Sequence, residues 1–195
     1  VLLPAVMDEP PESLAHLRLH NGTIWRWNRP LIGFDDQGQA HCRIEHRVVP
    51  AGPTPADATA NTALFLGLFE YLMRSEDDLE TRLPFAVARD NFYAAARDGL
   101  AANVRWLEGG AMPLDVLLRE RLLDAAQQGL ISAGTDAGDA AQWIGIVRGR
   151  VEQRMTGADW QVRWDRRHGR DASGLVNAYA DCQATDRPVH EWSEE

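Results

Sequence analysis

Three charged side chains at alternate positions, Arg43, Glu45 and Arg47, are where the types and spacing of residues could do chemistry. They lie in the run His41-Cys42-Arg43-Ile44-Glu45-His46-Arg47-Val48-Val49-Pro50, whose alternation has the period of a β-strand. On such a strand Cys42, Ile44, His46 and Val48 share a mainly apolar face that can lie on helices. Arg43, Glu45, Arg47 and Val49 share the other, with like-facing residues roughly 7 Å apart. A carboxylate can hold a divalent cation, and guanidinium forks can hold phosphate oxygens. Arg-x-Glu-x-Arg therefore carries the parts of half a metal–nucleotide site. On a solvated face the same pattern makes only an ion-pair ladder of small energetic worth.

Elements on either side must position these residues. Upstream stands His20-Asn21-Gly22-Thr23-Ile24-Trp25-Arg26-Trp27-Asn28-Arg29-Pro30. Asn-Gly between extended segments is a strong hairpin signal, pairing residues 14–19 with residues 23–28. In the second arm Trp25 and Trp27 share a face suited to sheet packing, and Ile24, Arg26 and Asn28 take the other. An arginine among aromatic residues needs a partner, which makes Arg26 a binding candidate. Securing the turn before Pro30 would account for Asn28 and Arg29. The polar loop Asp35-Asp36-Gln37-Gly38-Gln39 returns the chain into the 43–47 strand, giving an antiparallel pair or longer meander with its charged face toward a cleft. His41 and His46 have no second histidine at ligand spacing, and His46 reads as packed or hydrogen-bonded.

Pro50, Gly52, Pro53 and Pro55 make a rigid turn after the strand. Thr54 can cap a helix starting at Pro55 or Ala56 and ending near Tyr71, and Asp57 suits its N-terminal dipole. Ala60, Leu64, Leu68 and Tyr71 repeat at helical spacing and should face the sheet. Asn61 could bond the strand ends or cap a neighbouring loop. From residue 75 the pattern is helical throughout. Phe85, Ala88, Phe92, Ala95 and Gly99 mark one helix; Leu114, Leu117, Leu118, Arg121, Leu122 and Ala125 mark the next. Ala140, Trp143, Ile144, Val147 and Val151 mark a third, and residues 160–164 and 175–179 two more. Arg89, Asn91, Arg97 and Asn103 read as solvated. Arg163, Arg166, Arg167, His168 and Arg170 read as a charged helix end, and Trp192 could dock back on the body. Residues 1–13 read as a connecting segment.

Composition narrows the classes. The chain has 195 residues, 45% hydrophobic and 25% charged, an ordinary globular balance. A net charge of −9 argues against nucleic acid and anionic membrane as partners. There is no apolar run of membrane-spanning length and no leader pattern. Cys42 and Cys182, far apart, suit reduced thiols in a cytoplasmic setting.

Three motifs, HNGTIWRWNRP, RIEHRVVPAGPT and the helix ATANTALFLGL, together resemble the C-terminal half of the bacterial glutamate–cysteine ligase type 2 family, the carboxylate–amine ligases. Arg-Ile-Glu-x-Arg before a Pro-rich turn and an Ala-rich helix is also similar to part of glutamine synthetase, which shares the ligase fold. The resemblance covers residues 17–73 well and the remainder loosely. It implies an ATP-dependent ligase that joins the γ-carboxylate of glutamate to cysteine or another amine through an acyl phosphate. It assigns Glu45 to Mg²⁺, Arg47 to the transferring phosphoryl group, and Arg43 and Arg26 to nucleotide phosphates or a substrate carboxylate. Asn28 joins them as a substrate- or nucleotide-binding residue.

The resemblance also implies a missing N-terminal part carrying further carboxylate ligands, so this piece alone should be catalytically incomplete. The expected fold is α+β: a small antiparallel sheet near the N-terminus, packed against a helix-rich remainder, within one domain over residues 1–195. The sheet part would span about 14–50 and the helical part about 54–184. Expected partners are small-molecule substrates and the missing part of the same enzyme, with a homo-oligomer possible. The alternative is a non-catalytic scaffold that keeps the strand while Arg43, Glu45 and Arg47 pair among themselves.

Overall fold

Runs of helix-forming residues and short turned strand pairs set the architecture of the computed structural model, which describes residues 9–23, 27–49, 52–75, 78–107 and 109–193. The fold is mixed α+β, mostly helical, with two small antiparallel two-stranded sheets. The chain divides into two compact units, Val1–Pro50 and Ala51–Glu195.

In the N-terminal unit a short 3₁₀ turn, Pro11–Ser13, leads into α1 (Ala15–Thr23). This replaces the expected hairpin about Asn21-Gly22. Residues 14–19 contain no β-branched side chain and are rich in Leu, Ala and Arg, which favour helix over strand. Asn21 and Gly22 then lie within the last turn of that helix. Strand β1 (Asn28–Phe34) pairs with β2 (Ala40–His46) across the polar loop, as the sequence led one to expect. In that loop the Asp35 carboxylate accepts from the backbone of Gln37 and Gln39, and Gly38 takes positive φ. The face of Cys42 and Ile44, expected to lie on helices, is exposed, Ile44 to 69%.

The second unit begins with α2 (Pro55–Ser75), capped as expected by Thr54, whose hydroxyl accepts from Asp57 N at 3.1 Å. There follow α3 (Leu79–Arg82), α4 (Phe85–Asp98), β3 (Asn103–Arg105) and β4 (Ala111–Pro113). The β3–β4 pair interrupts a region expected to be helical throughout; three-residue strands are too short to show a period. Asn91, expected to be solvated, clasps Arg105, accepting from its N–H and donating to its carbonyl.

Next come α5 (Leu114–Leu117), a π-helical turn (Leu118–Leu122) and α6 (Leu123–Ser132). Leu117, Leu118, Leu122 and Leu123 are all buried. All four belong to the main core, and the π turn, with its i→i+5 bonding, runs from Leu118 to Leu122. Helices α7 (Ala137–Gln153), α8 (Gly157–His168) and α9 (Ala172–Gln183) complete the unit.

The main core gathers Ala60, Leu64 and Leu68 of α2 with Leu123, Ala126, Ile144 and Val147. That face of α2, expected to lie on the sheet, packs on α6 and α7 instead. The approach is close because Gly67 and Gly129 meet backbone to backbone: a Cβ on Gly129 would stand 1.9 Å from Gly67 O. Trp160, Tyr179 and Trp192 form a second cluster of mutual edge-to-face contacts with centroids 5.2–5.8 Å apart, so the tail does dock. Asp57, fully buried, joins the tail to α2. It accepts from Thr54 Oγ1 at 3.0 Å and from Val189 N at 2.9 Å, and Arg150 Nε lies 3.6 Å away. Asn61, expected to bond the strand ends or cap a neighbouring loop, accepts from Arg150 Nη1 at 2.8 Å.

Candidate functional site

The β1–β2 register places the charged residues. With Phe34 opposite Ala40, Arg29 falls opposite Glu45, Leu31 opposite Arg43, Gly33 opposite His41 and Asn28 opposite His46. Directly opposed side chains on an antiparallel pair share a face and can touch. Arg29 therefore joins Glu45 from the neighbouring strand, where the sequence pattern had put only Arg43 and Arg47 beside it.

Glu45 is gripped from two sides. Arg29 donates from Nε to Oε2 at 2.9 Å, with Nη2 2.6 Å from the same oxygen. Arg47 donates from Nη2 to Oε1 at 3.0 Å, and its Nε lies 2.9 Å from Oε2. The hydrogen bond from Arg47 is the chief reason that the Glu45 carboxyl sits below its ordinary pKa; Arg29 adds to it and desolvation opposes it. Arg29 has a second task. Its Nη1 donates to the carbonyl of Asn21 at 3.1 Å and approaches that of Gly22 at 3.4 Å. A guanidinium at a helix C-terminus satisfies orphan carbonyls and suits the dipole, so Arg29 ties α1 to the strand pair.

Arg43 stands apart from this grip. It is exposed, and its Nη1 lies 3.4 Å from His41 Nε2. Gly33 makes room for that histidine, since a Cβ there would come within 2.7 Å of Nε2. Asn28 Oδ1 accepts from His46 Nδ1 at 2.6 Å, which is the hydrogen-bonded role expected for His46. Burial lowers the His46 pKa and favours its neutral ring. Arg26 lies outside the described residues, as do Ile24 and Trp25.

Three guanidiniums against one carboxylate give this face a positive balance on a chain of net charge −9. Such a face can take a carboxylate or phosphate: Arg43 has donors to spare, and Arg47 can exchange one oxyanion for another. It fits a dication less well, because both Glu45 oxygens already accept guanidinium N–H groups. Among the described residues no group of three or more His, Cys, Asp or Glu side chains converges to hold a metal.

Arg29 is the residue that sequence reasoning undervalued, and the loop carried the signal. A five-residue connection centred on Gln37 makes opposed positions sum to a constant, which sets Arg29 against Glu45.

The basic cluster near residue 168 is a helix end, as expected. His168 stacks on Trp164 and Arg163 donates to the carbonyl of Arg154. Among the described residues no helix is long and apolar enough to cross a membrane. Comparison with family models, with characterised proteins and with solved structures finds no match to the chain.

Proposed function

We propose that this chain is part of an ATP-dependent carboxylate–amine ligase of the glutamate–cysteine ligase type, within a glutamine synthetase-like ligase fold. The observation that carries this reading is the guanidinium surplus on the β1–β2 face, where Arg29 and Arg47 enclose Glu45 and Arg43 stands one pair along. It coincides with the motifs RIEHRVVPAGPT and WNRP, on which the resemblance rests.

In this reading the substrate carboxylate attacks the γ-phosphorus of ATP and ADP leaves. The amine then attacks the acyl carbon and phosphate departs. Positioning and charge neutralisation are the protein's share of such chemistry. Arg47 neutralises the phosphoryl oxygens as they pass, and Arg43 and Arg26 hold phosphate or the substrate carboxylate. Asn28 borders the same strand ends. Mg²⁺ would screen the nucleotide phosphates, with Glu45 as its ligand in this chain and its remaining ligands from outside the described residues. Glutamate with cysteine is the substrate pair of this reading; another amine is equally compatible with the residues present. A cytoplasmic enzyme, dimeric or larger, accords with it.

One observation favours the second reading, a non-catalytic scaffold: Glu45 already satisfies two guanidiniums. Calorimetric titration of ATP with and without Mg²⁺, on the protein and on Glu45→Gln, separates the two. The ligase reading expects ATP binding that needs Mg²⁺ and weakens in the variant. Binding indifferent to both Mg²⁺ and the substitution removes Glu45 from the metal. Absence of binding both in this chain and in one carrying the upstream part that the ligase reading implies leaves the scaffold.

A further inference from the structure

The second unit has a pocket of about 320 Å³, at the small end of the ligand-site range. One wall is apolar, made by Leu68 and Leu72 of α2 with Leu122 and Ala125 across from them. Trp106 and Leu107 line it from the end of β3, and Leu107 holds a left-handed φ of 50°, a conformation costly for a residue with a Cβ. Arg121 lines it too, and it belongs to the π turn, a deviation that recurs at functional sites.

Besides Tyr71, the polar side chains that line the pocket among the described residues are Arg121 and Trp106, both donors. Other arginines of the unit, such as Arg89, Arg97 and Arg148, hold neighbouring carboxylates. Among the described residues Arg121 has neither an ion pair nor a hydrogen bond, and the Trp106 indole N–H has no acceptor. Among the described residues no Asp or Glu lines the pocket. A guanidinium and an indole N–H beside an apolar wall match a ligand with one planar anionic end and an apolar body.

We propose that this pocket binds a small carboxylic acid with an aliphatic or aromatic body, its carboxylate on Arg121 and Trp106 and its body against the leucines. The inference shares no residue with the β1–β2 face and stands or falls apart from the ligase reading.

The test is titration of ¹⁵N-labelled protein with 3-phenylpropionate and with its neutral amide, following the Trp106 indole resonance, which Trp106→Phe identifies by its loss. The acid should shift that resonance saturably, at an affinity at least about tenfold above the amide's. Arg121→Gln should bring the acid down to the amide's level; exposed and unpaired, Arg121 can be replaced without unfolding. Ala125→Phe should fill the pocket and abolish both shifts. The proposal fails if the acid leaves Trp106 unmoved, if acid and amide bind alike, if Arg121→Gln binds as before, or if Ala125→Phe still binds.

Discussion

Glu45 serves the described fold as an acceptor for two guanidiniums. Its folded pKa lies below the unfolded one, so its contribution to stability is complete above the unfolded value and fades as pH falls through the folded value. Glu45→Gln should therefore lower the melting temperature at neutral pH and lose that effect in acid, as thermal melts at several pH values would show. His190 works in the same sense from the other side of neutrality. Burial lowers its pKa, with Arg150 reinforcing the shift and Glu191, Asp57 and Glu152 opposing it. The unfolded chain then binds more protons, so stability should decline as pH drops below the ordinary histidine value of about 6.5, through the lowered folded value. His190→Gln should flatten that decline in urea titrations, although His46 shifts in the same direction and will leave a remainder. Asp57→Ala should cost about 3–5 kcal/mol by chemical denaturation, because it strands the buried Arg150 guanidinium and the Val189 N–H. Thr54-Pro55-Ala56-Asp57 has the Ser/Thr-x-x-Asp/Glu form of a helix start. The sequence thus showed why an acid stands there, and gave no sign that a tail residue would come to meet it.

Helix α2 was legible because Thr54, Pro55 and the periodic Ala60, Leu64 and Leu68 agree on one element. What that element packs on was not. Period alone marks a buried face and leaves its partner open, and the partner turned out to be α6, admitted by two glycines 62 positions apart. Gly129→Ala should destabilise by about 1–3 kcal/mol in urea unfolding, since the backbone of Gly67 cannot move aside as a flexible side chain would. Gly22→Ala, where an added Cβ meets nothing within 4 Å, should be neutral or slightly stabilising. The α1 error has a plain physical origin: Asn-Gly signals a hairpin only between extended segments, and the residues before it favour helix. The π turn falls among the doubled leucines at 117–118 and 122–123, where an α-helical period was assumed.

Across the whole molecule, the α+β class and the order of helices after residue 55 were readable from period and turn residues. The site was half readable. Arg43, Glu45 and Arg47 declared themselves along one strand, while Arg29 became a partner only through cross-strand register. Every residue of the two buried clusters lies beyond position 51. Residues 51–195 made alone should therefore keep their helical circular dichroism and melt cooperatively; a broad, gradual melt would show that the clusters depend on the first fifty residues. The Asp57 contact carries one more consequence, for the order of events during synthesis. Its two ends are 132 residues apart, so α2 leaves the ribosome with a carboxylate whose backbone partner has not yet been translated. Until Val189 and Trp192 emerge, that acid must stay hydrated, and the nascent helices can gather only loosely around it. Resistance to protease on stalled chains should appear late, in a single step, when the tail arrives.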